Sequence, residues 1–489
     1  MNHLRPYETS SPLFPLNEQP HLPDPRAVRS LILMMDFAAI SGGAAAHWGG
    51  PSAFTEIFIA LHQLIYQKSS SPNWFEDFNF VNDAGHCENA LYSLRYILGQ
   101  YSPMEFEDLL KFRSLQSNLT GHGESHLNPE HVLISNGPLG SAPGVLQGLA
   151  MADKLCGKKR ISLCTISDGA MMEGETKEAL AAIGGLAQKN KIAKCIFLLS
   201  NNKTKLSGRI EEDSFAMNFS TLQESGFHYQ KIEDGHQIQG IYQALLDAIA
   251  SPHQAIFLDI HTVKGYGLKS TAESKNGGHG FLLKGGEKEK LSASIHELYD
   301  NRPPADILNY LERTFAFCQQ FDKKESSPSS VKTEKVQAGI GRALVEMGHK
   351  HPVVLLSSDL QGSTGVDPFI KTFPERSFDV GIAEANMVSA AAGFSKNNYI
   401  SVVNTFAQFG VSKGMLPFFM ANLSSAPIIA VFSHAGMQDA ADGASHQCTN
   451  YLAATYALPR TTVIYPSTSS DAEELMKMSG NHVLYQSLC

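Results

Sequence analysis

Residues 161–175 read ISLCTISDGAMMEGE, an apolar run that stops at Asp168-Gly169 and gives way to acidic residues. Residues 161–166 have the continuous apolar character of a strand buried on both faces, and helical spacing resumes over Glu173–Ala187. Strand, tight turn and helix in succession mark one step of a parallel α/β sheet. Asp168 stands where a carboxylate can hold a hard cation. Gly169 lets backbone N–H groups approach a phosphate, and the helix N-terminus adds positive potential. Asp-Gly alone marks an ordinary turn. Here a second apolar run, 195–200 (CIFLLS), ends on Asn201-Asn202, so an amide oxygen follows Asp168 by 34 residues. With a nearby backbone carbonyl, these are the oxygen ligands that Mg²⁺ combines with phosphate.

Working outward, the pattern repeats. Residues 255–260 (AIFLDI) read as a strand and Ile238–Ala250 as a helix. Further on, 353–357 (VVLLS), 428–432 (IIAVF) and 462–465 (TVIY) read as strands, and Ala383–Phe394 and Asp471–Met478 as helices. Between the two sets lies Asp322–Lys335, DKKESSPSSVKTEK, with the polar, Ser/Pro-rich composition of a linker. The expected organisation is an N-terminal extension (1–27), a first α/β domain (28–321), a linker (322–335) and a second α/β domain (336–489). Ligands of such sheets sit beyond the carboxyl ends of the strands.

Composition narrows the function classes. The 489 residues suffice for two or three domains, and hydrophobic and charged contents of 43% and 18% are those of a globular enzyme. A net charge of −9 without a basic stripe argues against a nucleic-acid partner. Seven scattered cysteines with no CxxC pair suggest neither a disulfide framework nor a zinc site, so a reduced cytoplasmic setting is expected. Neither a signal peptide nor an apolar run of membrane-spanning length is apparent.

The turn at Asp168, with Asn202 and Leu206-Ser207-Gly208, resembles the thiamine-diphosphate motif, with Ser167 in place of its first glycine. Over residues 28–487 the chain resembles the transketolase family. His47-Trp48-Gly49-Gly50, Gly85-His86, Gly121-His122-Gly123-Glu124, Asn136-Gly137-Pro138-Leu139-Gly140, Thr262–Gly267 and Gly278-His279-Gly280 resemble its successive active-site segments, although Ala84 replaces a usual asparagine. The resemblance implies two thiamine-diphosphate-binding-fold domains, one for the diphosphate and one for the pyrimidine. It implies Mg²⁺ on Asp168, Asn202 and the Thr204 carbonyl, and the diphosphate on His86, Gly169 and His279. Gly137 would accept the 4′-amino group, Leu139 would wedge beneath the cofactor, and His47 and His122 would face substrate.

The second domain carries Val380–Met387, VGIAEANM. A glutamate opening a helix is an ordinary dipole pairing. By resemblance, Glu384 would bond the pyrimidine ring nitrogen and favour the imino form that activates the cofactor, a task suited to a buried carboxyl. Phe406 and Phe409 would line the pyrimidine, with Phe409 stacked on it. His434 and His446 would contact donor and acceptor, and Asp442 a sugar hydroxyl.

Departures from the family pattern bear on substrate. Ala440-Ala441 stands where a Gly-Glu pair is usual, and Ser412 where a third aromatic is usual. Two phosphate-holding arginines are expected at Glu334 and near Ser487, and neither is present, while Ser363 matches a phosphate-side serine. Loss of two bidentate cations implies a donor or acceptor without a terminal phosphate. A third α/β domain, usual in the family, would follow Cys489; it is either absent or lies outside a fragment.

The leading expectation is transfer of a two-carbon ketol unit from a ketose to an aldehyde by a homodimer whose sites lie at the subunit interface. The Lys264–Gly267 and Ala272–Asn276 stretches also resemble homodimeric 2-oxoacid decarboxylating dehydrogenase components. A third reading is cofactor or partner binding without turnover.

Overall fold

The structure, a computed structural model, describes residues 23–70, 74–100, 104–210, 217–280, 287–322, 334–437, 442–456 and 458–488. The expected extension thus lies outside the described residues as far as residue 22, and the expected linker from 323 to 333, as do Ala440 and Ala441. The chain forms two compact units. The first comprises Met1–Gly208, Met217–Lys324 and the short stretch Ala441–Gly443; the second comprises Arg209–Ala216, Glu325–Ala440 and Ala444–Cys489.

The first unit holds a five-stranded sheet of β1 (Phe78–Asn82), β2 (Ile161–Ser167), β3 (Cys195–Asn201), β4 (His228–Ile232) and β5 (Ala255–His261). Its order is β1-β2-β3-β5-β4, parallel throughout. Successive side chains enter opposite cores. Leu163, Ile196, Leu198, Ile256 and Leu258 join one, with the helices Pro25–Ser41, Gly49–Lys68 and Glu88–Ile97. Cys164, Ile166, Phe197, Leu199 and Phe257 join the other, with the helices Ala142–Leu155 and Gly174–Gln188. Covering on both faces is the reason β2, β3 and β5 carry apolar residues on both sides of the sheet.

The second unit repeats the plan with β6 (Val353–Ser357), β7 (Ser377–Asp379), β8 (Ile400–Phe406) and β9 (Ile428–Ser433), again all parallel, in the order β7-β6-β8-β9. Val353, Leu355 and Val402 face the helices Val336–Lys350 and Ser469–Leu488. Val354, Leu356 and Val403 face Glu384–Ser395 and Ala407–Leu423.

Two features differ from the sequence reading. Residues 462–465 form no strand: the segment has no ladder partner among the described residues, and Val463, Ile464 and Tyr465 stay 42–54% exposed. Strands β1, β4, β7 and β8 went unread. β4 (HYQKI) is a sheet edge with polar and part-exposed side chains, which blurs the apolar signal. Among the described residues no helix is long and apolar enough to cross a membrane, and the six described cysteines are unbridged.

Candidate functional site

β2 and β3 run in register with Ser167 opposite Ser200, so their carboxyl ends release Asp168 and Asn202 side by side. Asp168 is buried, and its carboxylate collects three backbone N–H groups: Gly169 donates to Oδ1 at 2.9 Å, and Asn202 and Lys203 donate to Oδ2 at 2.9 and 2.5 Å. Burial pushes this carboxyl up to about 6, against the opposing influence of the Lys264 ammonium and the three N–H donors. The Asn202 Oδ1 accepts the Thr204 N–H at 3.1 Å, and the Thr204 carbonyl accepts Lys264 Nζ at 3.2 Å. Asp168, Asn202 and Thr204 are therefore contiguous. Gly169 is not there for conformational freedom: its φ of −60° and ψ of −43° are open to any residue. Its absent side chain, rather than its backbone angles, is what would admit a phosphate.

Opposite Asp168 in sequence, the segment 136–140 makes a tight turn in which Gly137 (φ 137°) and Gly140 (φ 88°) take positive φ. Asp83, at the end of β1, fixes it by accepting the N–H groups of Gly140 and Ala142 at 3.0 Å. Glu88 Oε1 accepts the amides of Asn82 and Asn136 at 2.9 and 2.8 Å. A Cβ on Gly85 would lie 2.5 Å from the Asn136 Oδ1, so the Gly85-His86 turn packs directly on this loop. Leu139 rests part-buried against the second core.

Four histidines from distant segments meet here. The His47 ring centroid lies 5.6, 6.3 and 5.4 Å from those of His86, His122 and His279, and His86 lies 5.5 Å from His279. The gathering follows from backbone pairing: His47 bridges Gly280, Trp48 N–H reaches the His279 carbonyl at 3.3 Å, and Gly49 N–H reaches the Gly278 carbonyl at 2.9 Å. His279 is held neutral, its pKa far below normal, by burial and then by the charges of Lys264, His47 and His86. Its Nδ1 is buried without a hydrogen-bond partner among the described residues.

Asp442 belongs to the stretch that groups with the first unit. Its carboxylate pairs with Arg113 at 2.8 Å, and its carbonyl lies 2.9 Å from His122 Nδ1. Arg113 also reaches His47 Nδ1 at 3.0 Å. Sequence reading missed Arg113, Asp83, Glu88 and the part played by Lys264. Asp83 and Glu88 flank Gly85-His86 and were within reach; nothing local distinguishes Arg113.

In the second unit, Glu384 opens its helix with 3% exposure, and its Oε2 has no hydrogen-bond partner among the described residues. Burial raises its pKa, with the Lys413 charge opposing. Phe406 and Phe409 stack at 6.3 Å, His434 lies 4.1 Å from Phe406, and His446 stands edge-on to Phe409 at 5.1 Å. Ser363 lies exposed in the short helix Gln361–Thr364. Glu334 bonds Arg342 at 2.6 Å, and Glu473 takes the same guanidinium at 2.7 Å. Among the described residues no three His, Cys, Asp or Glu side chains converge as metal ligands, so a cation near Asp168 would depend on amide, carbonyl and phosphate oxygens.

Each of the two wholly parallel α/β units thus carries a buried carboxyl, Asp168 or Glu384, beyond its strands. Residues 26–296 match the thiamine diphosphate binding domain of transketolase, and residues 333–483 its pyrimidine binding domain. The chain belongs to the transketolase family. It is 27% identical to human transketolase over 492 residues, covering 95% of this chain and 74% of that protein. To mouse transketolase-like protein 2 it is 27% identical over 431 residues, covering 86% and 66%. The fold is shared with the transketolase from Leishmania mexicana (TM-score 0.50, 20% identity, 94% of this chain and 76% of that one). The chain thus spans about two thirds to three quarters of the length of these relatives.

Proposed function

We propose that the chain binds thiamine diphosphate with Mg²⁺ and transfers a two-carbon ketol unit from a ketose to an aldehyde. The observation that carries this reading is the juxtaposition of the Asp168–Asn202–Thr204 oxygens with the four-histidine cluster, since Lys264 Nζ reaches the Thr204 carbonyl at 3.2 Å while the next residue, Gly265, donates to the Gly49 carbonyl at 2.9 Å, two residues from His47. The residues fit the group. The Asp168 carboxylate, the Asn202 Oδ1 and the Thr204 carbonyl are all oxygen ligands, suited to a hard cation, and the unpartnered His279 Nδ1 and Glu384 Oε2 are buried polar atoms that a bound ligand would satisfy.

Asp168, Asn202 and the Thr204 carbonyl would hold Mg²⁺; His86, Gly169 and His279 would meet the diphosphate; Gly137, Leu139, Phe406 and Phe409 would meet the aminopyrimidine. When bound, thiamine diphosphate supplies the nucleophilic carbon and electron sink that cleavage beside a carbonyl requires. Glu384, whose pKa burial raises, would hydrogen-bond a ring nitrogen through its carboxyl group. The neutral His279 both donates and accepts. His47 and His122, with Arg113 bonded to His47, would present imidazoles to sugar hydroxyls, Asp442 would read a hydroxyl beside them, and His434 and His446 would contact donor and acceptor. The site needs residues on both expected domains, and a homodimer with shared sites, working in the cytosol, belongs to the same proposal.

The carboxylate of Glu334 occupies the position of an expected arginine and neutralises the neighbouring Arg342, which supports a substrate without a terminal phosphate. The test is direct: purified protein with thiamine diphosphate and Mg²⁺ is offered ketose–aldehyde pairs and, separately, 2-oxoacids. Two-carbon transfer sustains the reading; CO₂ release from 2-oxoacids alone, or cofactor binding without turnover of any of them, overturns it.

A further inference from the structure

Arg113 sits in the left-handed region of the backbone, with φ 61°, a conformation that residues other than glycine rarely take and keep only where their surroundings enforce it. Its N–H donates to the Leu119 carbonyl at 2.9 Å and closes the turn that leads to Gly121-His122. The side chain is 1% exposed. Its guanidinium lies against Gly121, where an added Cβ would stand 2.9 Å from Cζ and 3.0 Å from Nε, so a side chain there would displace it. Nη1 pairs with the Asp442 carboxylate at 2.8 Å, and Nη2 reaches His47 Nδ1 at 3.0 Å. The His47 backbone is held separately, since its carbonyl accepts the Asn89 amide at 2.9 Å. A buried arginine on a strained turn is thus aimed at one particular nitrogen of one histidine.

The bond decides where the His47 ring proton resides. A guanidinium has donors and no acceptor, so His47 Nδ1 must offer its lone pair, and the proton is left on Nε2. The opposite holds at His122. Its Nδ1 lies 2.9 Å from the Asp442 carbonyl, which can only accept, so that nitrogen carries the proton and Nε2 keeps the lone pair. We propose that Arg113 is a positioning residue that locks His47 as a neutral Nε2–H donor, so that His47 and His122, with ring centroids 6.3 Å apart, offer a substrate one donor and one acceptor. The proposal rests on the reading of these two imidazoles as substrate-facing. Its consequence is a preference among substrates. A hydroxyl both donates and accepts, and satisfies the two rings together. A carboxylate only accepts, and leaves the His122 lone pair facing an anion. Arg113 thereby favours hydroxylated ketoses over 2-oxoacids.

The proton positions can be read without cofactor or turnover, which separates this role from a merely structural one. Full-length protein labelled with ¹⁵N at histidine is compared by long-range ¹H–¹⁵N correlation spectra at neutral pH as wild type, Arg113→Met and Arg113→Lys. His47→Gln and His122→Gln assign the signals, and circular dichroism checks the fold. Wild-type His47 is expected as the Nε2–H tautomer and His122 as the Nδ1–H tautomer. In Arg113→Met the preference of His47 for Nε2–H should fall about tenfold, the worth of one hydrogen bond from a charged donor. Arg113→Lys, which still donates, should retain it. If Arg113→Met does not fold, the wild-type spectrum alone still decides the proton positions. A proton on His47 Nδ1 or on His122 Nε2 in the wild-type protein overturns the proposal, as does an unchanged His47 tautomer preference in folded Arg113→Met. The expected tautomers in a protein that turns over no ketose leave Arg113 in this role and reject instead the ketol-transfer reading, on which the substrate preference rests.

Discussion

The backbone N–H of Asn202 donates to the Oδ2 of Asp168 at 2.9 Å, tying together the ends of two adjacent strands 34 residues apart in sequence. The bond keeps a buried carboxylate beside an amide oxygen, Asn202 Oδ1, that itself accepts only a local N–H at 3.1 Å among the hydrogen bonds seen. Burial raises the Asp168 carboxyl to about 6, and this has a consequence for metal binding. A proton competes for the carboxylate below that pH and not above it. The apparent Mg²⁺ affinity in the presence of pyrophosphate is therefore expected to fall more steeply through about pH 6 in the wild-type protein than in Asp168→Asn, the protonation of pyrophosphate being common to both. Calorimetric titration of both proteins at pH 5.0, 6.0 and 7.5 checks it; an equal fall in the two would show that Asp168 is not a ligand.

Glu384 carries the raised pKa of a carboxyl buried with one oxygen unpartnered. Glu384→Gln preserves shape and burial but cannot give up a proton. Two-carbon transfer is expected to drop by on the order of 10²- to 10⁴-fold, the usual worth of a positioned acid–base group. Thiamine diphosphate affinity should change far less. Steady-state rates beside calorimetric binding would separate the two, and near-wild-type turnover would remove Glu384 from the chemistry.

The proposed homodimer with shared sites makes a prediction of its own. Asp168→Ala and Glu384→Gln are each expected to be inactive, yet co-expressed chains should regain activity, because a mixed dimer holds one site with both native residues. Assay of affinity-separated mixed dimers settles it. If each site is completed within one chain, every mixed dimer stays inactive.

The ion pair of Glu334 with Arg342 replaces the expected phosphate-holding arginine with a carboxylate. Ketoses with and without a terminal phosphate are expected to give kcat/KM values within about threefold of each other, where a phosphate-binding pair of arginines would separate them by several kcal/mol. Glu334→Arg should raise the preference for the phosphorylated ketose, and competition assays read this directly.

Acid stability follows from two histidines near Arg95. Burial, the larger cause, and the Arg95 charge lower His62 to about 3 and hold His131 well below its normal value. Both are neutral in the fold and take up protons on unfolding, near 6.5. Their contribution is complete above about pH 7 and is lost as pH falls. Between pH 7.5 and 5.0 each linkage is worth up to about 2 kcal/mol, less for His62, whose ring is only part-buried. Asp168, raised by burial to about 6, acts in the opposite sense and offsets part of this loss as pH falls through about 6, and Asp36, raised well above its normal value by burial, acts in the same sense as Asp168. Denaturant unfolding at the two pH values should show the loss, and His62→Gln should shrink it.

What the sequence determined by itself was local. Mainly apolar runs alternating with helical spacing imposed two parallel α/β units, because a strand covered on both faces needs apolar side chains on both. Asp168 and Asn202 could be placed at strand ends because turn residues break the pattern there. The tertiary structure decided whatever depends on distant segments meeting. It gathered His47, His86, His122 and His279, brought Arg113 to His47, and carried Lys264 to a carbonyl 60 residues away. It also withheld a strand from residues 462–465, whose apolar residues found no ladder. Periodicity and turn chemistry are written in neighbouring residues; burial, and with it the charge state of Asp168, His279 and Glu384, arises only when the cores close around them.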